Sequence, residues 1–71
     1  MELRETLATN LRMAVAKRGM SNSELAFRSK VSHGTVVSYK NARSTRIDLE
    51  KLDNIAQTLD VEVSSLFKEV E

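Results

Sequence analysis

Four small or apolar residues at a fixed spacing constrain the fold of this chain more than any other feature of its sequence: Ala26, Val31, Val36 and Tyr39. Counted from Asn22, they hold positions five, ten, fifteen and eighteen. Two helices that cross steeply over a short turn need a small residue where their backbones meet, and apolar residues that close the wedge between them. The spacing therefore predicts two crossed helices, the first over about residues 22–29 and the second over about residues 32–41.

Capping signals mark where both of these helices begin. Ser21 can cap the first helix, and Glu24, three residues later, completes a capping box. Met20 and Leu25 occupy the two positions of a hydrophobic staple around the same cap. Ser32 stands in the equivalent place before the second helix, and serine is a preferred N-cap residue. These signals agree with the helix limits predicted from the apolar spacing.

The rest of the chain also has apolar residues at helical intervals. From Leu3 to Val15 a leucine or valine recurs at every fourth position, which predicts a helix over residues 2–18 that ends at Gly19. Asp48 can cap a further helix, whose apolar stripe is Leu49, Leu52, Ile55, Ala56 and Leu59. A final short helix or turn is predicted from Val61, Val63, Leu66, Phe67 and Val70. We therefore expect an all-α fold, a compact bundle of five helices, formed as one domain over residues 1–71.

The net charge of +1 hides a strong asymmetry along the chain. Residues 27–47 carry five basic side chains and no acidic one, whereas residues 48–71 carry seven acidic side chains and two basic ones. A basic surface of one sign favours a polyanionic partner. The alternative is a solvated charged face without a partner. The acidic segment is expected to stay away from a polyanion and to be free for another contact.

Size and composition exclude several classes of function. A domain of 71 residues buries only about 60% of the surface of its unfolded chain, so it has no room for a deep catalytic cavity. The absence of cysteine excludes disulfides and thiolate metal sites, and the single histidine, His33, is a poor metal ligand alone. The sequence shows no membrane-spanning stretch and no signal peptide. We expect a cytoplasmic protein that is not an enzyme, with no cofactor, metal, membrane or small-molecule ligand.

Two stretches resemble the phage-repressor and Cro type of helix-turn-helix domain, which is lambda-repressor-like: MSNSELAFRSKVSHGTVVSYKNAR and LEKLDNIAQTLDVEVSSLF. With the first predicted helix, the resemblance covers nearly the whole chain. It implies a five-helix bundle whose third helix, the recognition helix, enters the major groove of double-stranded DNA. It also implies a transcriptional regulator of the prokaryotic cytoplasm or nucleoid that binds paired half-sites as a dimer.

Several positions depart from the pattern of this family. Its turn glycine is Lys30 here, which must therefore tolerate a left-handed conformation, and the glycine usual after the third helix is Ala42. Many members pair an arginine in the first helix with a glutamate near the end of the third. Those positions hold Val15 and Lys40, so both halves of the ion pair are replaced together and neither charge is stranded.

The resemblance also assigns residues to the DNA contact. The base-reading positions fall on His33, Gly34, Val37 and Ser38. Glycine lets the backbone approach the base edges, and valine offers a methyl surface to thymine. The alternative is that Gly34 and His33 are ordinary surface residues. Phosphate contacts are expected from Asn22, which stands where the family often has glutamine, and from Thr35, Lys40, Asn41, Arg43 and Arg46.

The predicted function is sequence-specific DNA binding by a transcriptional regulator, a repressor that binds a palindromic operator as a homodimer. The dimer interface is expected at the apolar end of the chain, Leu66, Phe67 and Val70, with packing inside the monomer as an equal alternative. A restriction–modification controller protein or an antitoxin-type regulator is a second interpretation. A third, of another class, is a protein-interaction module that has lost DNA binding, and the acid-free basic stretch argues against it.

Overall fold

A computed structural model describes residues 2–69 of the chain. Its elements are α1 (Leu3–Arg18), α2 (Asn22–Ser29), α3 (His33–Lys40), α4 (Leu49–Thr58) and a 3₁₀ turn (Val63–Phe67). The described residues contain no strand, which confirms the all-helical fold class. None of these helices is long and apolar enough to cross a lipid bilayer.

The prediction of five helices is wrong in its last element. The segment after α4 forms a 3₁₀ turn of five residues instead of an α-helix. The backbone N–H of Ser65 donates to the Glu62 carbonyl at 3.1 Å, and the Ser65 hydroxyl donates to the same oxygen at 2.6 Å. Five residues are too few to repay the nucleation of an α-helix, whereas 3₁₀ turns occur in short pieces.

The predicted serine and aspartate N-caps are confirmed at the start of three helices, whereas the Glu24 side chain lies against Arg28 and does not complete the predicted capping box. Ser21 Oγ accepts from the backbone N–H of Glu24 at 3.0 Å, and Ser32 Oγ accepts from that of Thr35 at 3.2 Å. Asp48 Oδ1 accepts a hydrogen bond of 3.1 Å in the same way at the start of α4. Each cap satisfies a backbone donor that has no partner inside its helix, and so fixes where the helix begins.

A residue with left-handed backbone conformation follows each of the first three helices. Gly19 has φ 66° and ends α1, where the N–H of Met20 donates to the Val15 carbonyl at 3.3 Å. Lys30 has φ 60° and Ala42 has φ 56°, although neither is glycine. This conformation costs a residue with a side chain about 1 kcal/mol. The expectation that Lys30 adopts it is confirmed.

The core draws side chains from every element. Its largest fully buried members are Leu7, Leu11, Leu25, Val36, Leu52, Ile55 and Leu59. The four residues whose spacing predicted the crossed helices are buried as well: Ala26, Val31, Val36 and Tyr39. Helix α1 contacts both α3 and the 3₁₀ turn, and α2 lies between α3 and α4. One face of α3 is thus fixed against the core.

Two polar side chains of α1 hold the C-terminal part of the chain. The Asn10 amide is 9% exposed and donates to the Leu66 carbonyl at 2.7 Å and to the Lys68 carbonyl at 2.8 Å. Arg18 donates to the Leu59 carbonyl and pairs with Asp60, both at 3.1 Å. Backbone carbonyls at the end of α4 and at the end of the 3₁₀ turn thereby gain side-chain donors.

Candidate nucleic-acid interface

The exposed face of α3 carries the residues predicted to read bases. His33 and Gly34 are exposed, and Val37 and Ser38 are half-buried. Because α3 has one side held in the core, these four residues form its outward side near the N-terminal end. A short helix with one buried face and a polar, small-residue outer face can lie in a groove about as wide as the major groove of DNA.

Gly34 has no role in the packing of the protein itself. Its backbone is regular helix, and a Cβ atom added there would meet no atom of the packed fold within 4 Å. Alanine at an exposed helical position would make the helix more stable by about 1 kcal/mol. The fold therefore tolerates this glycine without requiring it.

The cap of α3 also fixes the hydroxyl of Thr35. Ser32 Oγ, which accepts from the Thr35 N–H, donates to Thr35 Oγ1 at 2.8 Å. Since Thr35 Oγ1 is the acceptor in this pair, its own proton remains available to another group. Thr35 is half-buried and faces the groove beside α3, where a phosphate oxygen could accept that proton.

A groove of about 730 Å³ runs between α3 and the segment that leads into α4. Gly34, Thr35 and Ser38 line it from α3, and Arg46 lines it from the opposite side. The structure therefore brings Arg46 together with three α3 residues that were predicted to contact DNA. The charged residues that line this concave surface are Arg46, Lys51 and Asp48, so it carries an excess of positive charge.

Sequence reasoning missed three residues of this groove, Ser44, Ile47 and Lys51. Lys51 lies in the first turn of α4, three residues after the N-cap Asp48. Charge counted along the sequence places Lys51 in the acidic segment 48–71. In the fold it lies beside the basic loop that precedes α4. The predicted cap at Asp48 was the available signal, since the first turn of a capped helix points back toward the preceding loop.

The loop between α3 and α4 presents basic side chains without acidic partners. Asn41, Arg43 and Arg46 are exposed. Within residues 2–69 the arginines that pair with carboxylates are others, namely Arg4, Arg18 and Arg28. The positive charges next to α3 are therefore not neutralised in the described part of the chain, as a phosphate-binding surface requires.

Two further predicted phosphate ligands contact each other. Lys40, the last residue of α3, donates a hydrogen bond from Nζ to Oδ1 of Asn22, the first residue of α2. Both side chains are half-buried. The contact joins positions that are 18 residues apart in the sequence.

The predicted dimer residues have different surroundings. Leu66 is only 2% exposed and packs in the core, which agrees with the alternative of packing inside the monomer and leaves its side chain little surface for a partner. Phe67 is half-buried and lines an apolar groove of about 470 Å³ with Leu3 and Leu49. Val70 lies outside the described residues.

Metal ligands are not grouped in the described part of the chain. No three histidine, aspartate or glutamate side chains of residues 2–69 lie together as a metal site would need. His33 stands alone on the exposed face of α3. The chemistry that this surface offers is hydrogen bonding and positive charge.

Comparisons with known proteins agree with this geometry. The family model of the Cro/C1-type HTH DNA-binding domain matches residues 10–70. The crystal structure of the clp gene regulator ClgR from Corynebacterium glutamicum is similar, with a TM-score of 0.83 and 30% sequence identity. The match covers 93% of this chain and 69% of that one. No curated protein sequence matches the chain.

Proposed function

The chain belongs to the Cro/C1-type helix-turn-helix DNA-binding family, and we propose that it is a transcriptional repressor that binds a palindromic operator as a homodimer. The similarity to a gene regulator supports a role in transcription. The observation that carries the proposal is the surface made by α3 and the loop that follows it. There Gly34, which the packing does not require, lines one groove with Arg46. Within residues 2–69 neither Arg43 nor Arg46 pairs with a carboxylate.

In the proposed complex, α3 is the recognition helix and lies in the major groove. His33 and Ser38 donate or accept hydrogen bonds at base edges, Val37 contacts a thymine methyl group, and Gly34 lets the helix backbone approach closely. Each of these residues is on the outward side of α3 and is at least partly accessible. One short face thus offers hydrogen-bonding groups and a methyl surface to the base edges.

Phosphate contacts surround this face on two sides. Thr35, Asn41, Arg43 and Arg46 supply donors from α3 and the following loop, and Asn22 and Lys40 supply them from the other side. To these predicted ligands we add Lys51, because its side chain lines the same groove as Arg46. Contacts of this kind set the affinity and its salt dependence, and they fix the register of the recognition helix on the duplex.

The small size of the base-reading face supports the proposed homodimer. One such helix reads only a few base pairs, which is too little to select an operator among about 10⁶ or more competing sites. Two copies related by two-fold symmetry double the site, with half-sites about one helical turn apart. We propose that the apolar groove of Leu3, Leu49 and Phe67 contributes to the contact between the copies. Leu3 is 65% exposed and Leu49 is 69% exposed, although both are leucines.

The experiment that tests this function is selection from a pool of random duplexes, followed by titration of the selected duplex at several salt concentrations. If each subunit neutralises about four phosphates, log K falls with log salt at a slope near −7 for a dimer, from about −0.9 per phosphate. A slope shallower than about −2 on the best duplex would contradict DNA binding of this kind. It would favour the protein-interaction module instead.

A further inference from the structure

We propose that Lys40 is a positioning residue: it holds the carboxamide of Asn22 so that the NH₂ group, and not the oxygen, faces the DNA backbone. This inference rests on the proposed function, because it concerns how the α2 end of the surface meets a phosphate. It gives Lys40 a role that differs from that of Arg43 and Arg46, which are proposed to contact phosphates directly.

The chemistry of the two side chains fixes the direction of the hydrogen bond between them. An ammonium group has three donors and no acceptor, so only the Oδ1 end of the Asn22 carboxamide can face Lys40. The Nδ2 end then points to the opposite side with both of its hydrogens. A phosphate oxygen only accepts hydrogen bonds, so it is complementary to this orientation and is repelled by the reverse one.

The surroundings of Asn22 leave its NH₂ group free for this purpose. The cap of α2 is made by Ser21, which accepts from the Glu24 N–H, so the Asn22 side chain is not needed there. Within residues 2–69 its only side-chain hydrogen bond is the one from Lys40. Without Lys40, the Asn22 carboxamide would be free to rotate. In some of the molecules its Oδ1 atom would then face the phosphate instead of its NH₂ group.

The position of Lys40 also keeps its charge available. The carboxylate of Glu24, the nearest acidic residue in sequence to Asn22, lies 3.5 Å from Arg28 Nε in an ion pair. Lys40 forms no ion pair in the described part of the chain and retains two further donors. Because both partners are half-buried, water competes less for the hydrogen bond than it does at a fully exposed site. One ammonium group therefore orients a neutral donor and adds a positive charge beside it.

A double-mutant cycle on the selected duplex tests this role. We expect Asn22→Ala to weaken binding about tenfold in the wild-type background and only about twofold in a Lys40→Met background, a coupling of about fivefold. Lys40→Met keeps most of the side-chain length but removes the donor and the charge. Arg46→Met is the matched control, since it removes one charge from the same surface but lies on the other side of α3. Asn22→Ala combined with Arg46→Met should be additive within about twofold.

Two further readouts separate positioning from a loss of charge or of structure. Lys40→Arg also donates without accepting, so it should restore most of the coupling with Asn22. In the free protein, the side-chain NH₂ resonances of Asn22 should shift in Lys40→Met and stay in place in Arg46→Met, as measured by nitrogen-15 NMR.

The possible failures can be told apart. Normal binding by the wild type with additive effects of Asn22→Ala and Lys40→Met would overturn the positioning role alone. Unmoved Asn22 resonances in Lys40→Met would overturn it too, because the hydrogen bond would then be absent in solution. Failure of the wild type to bind any selected duplex would overturn the proposed function and this inference with it.

Discussion

The hydroxyl of Tyr39 accepts a hydrogen bond of 2.9 Å from the backbone N–H of Asp48, the N-cap of α4. Tyr39 is buried on the core side of α3, so this contact links the inner face of the proposed recognition helix to the start of the next helix. The other end of the connecting loop is also fixed, because the Arg43 N–H donates to the Ser38 carbonyl at 3.0 Å. The loop that carries Arg43 and Arg46 is therefore held by α3 at both ends.

Removing this hydroxyl should weaken both the fold and the loop. Tyr39→Phe keeps the ring in the core, so the expected loss of unfolding free energy is that of one hydrogen bond, about 1 kcal/mol. Urea denaturation measures it. We also expect weaker binding to random and selected DNA alike, because the arginines of the loop lose their fixed position. An unchanged urea midpoint would show that water replaces the hydroxyl at the Asp48 N–H without cost.

Substitution of Gly34 by alanine should raise the stability of the fold and lower its affinity for DNA. Gly34→Ala adds a methyl group in open space on a regular helix, so it should raise the unfolding free energy by about 0.5–1 kcal/mol. The same methyl group should weaken binding to the selected duplex, because it lies between the α3 backbone and the base edges. Thermal unfolding and titration measure the two effects.

Gly19→Ala is the matched control for this substitution. Gly19 has φ 66°, so alanine there should lower the unfolding free energy by about 1 kcal/mol and leave DNA binding by the folded protein unchanged. If Gly34→Ala were more stable and bound the selected duplex as tightly as the wild type, Gly34 would be an ordinary surface residue.

Base-reading and phosphate-binding residues should separate by their effect on random DNA. His33→Ala or Ser38→Ala should cost about 1–3 kcal/mol on the selected duplex and little on a random one. Arg43→Ala should weaken both about equally and make the salt slope shallower by about one per subunit. Fluorescence titration of both duplexes at several salt concentrations distinguishes the two patterns. If His33→Ala and Arg43→Ala gave the same pattern, a different face of the protein would lie in the groove.

Local sequence signals were sufficient for most of the fold. Caps such as Ser21 and Ser32 act over three residues, and the four-residue apolar repeat of α1 reports its buried stripe directly. The last element was different, because the apolar pattern after α4 suits a helix and a turn equally. What holds that turn is the buried amide of Asn10, whose carbonyl partner in Leu66 lies 56 residues away. A contact at that distance has no local signature.

The part of the candidate site that lies on α3 alone was predictable from the sequence. The contacts between residues of different helices were less predictable. The spacing of α3 alone separated buried Val36 from exposed Gly34. The proximity of Lys51 to Arg46 and the hydrogen bond from Lys40 to Asn22 depend on how helices cross. Charge counted along the chain placed Lys51 in the acidic segment, whereas in the fold it lines the same groove as Arg46. A basic residue within an acidic segment can face the basic side of the fold.

The apolar groove of Leu3, Leu49 and Phe67 offers a probe of the proposed dimer that spares the core. Leu49 is 69% exposed in the first turn of α4, so Leu49→Gln removes apolar surface without changing charge or opening a cavity. Phe67 is half-buried, and truncating it would confuse a loss of contact with a loss of stability. The matched control is Met13→Gln, because Met13 is 51% exposed on α1 and lines a different groove.

We expect Leu49→Gln to weaken self-association, measured by sedimentation equilibrium, and to lower affinity for a palindromic duplex. Affinity for a duplex with a single half-site should be unchanged, because each recognition helix is intact. Met13→Gln should behave as the wild type in all three measurements. The reason is that the contact between two copies raises the affinity for a palindromic duplex but not the affinity for a duplex with one half-site. Equal behaviour of Leu49→Gln and Met13→Gln would remove this groove from the interface, and saturation of a palindromic duplex by one wild-type chain would exclude the dimer itself.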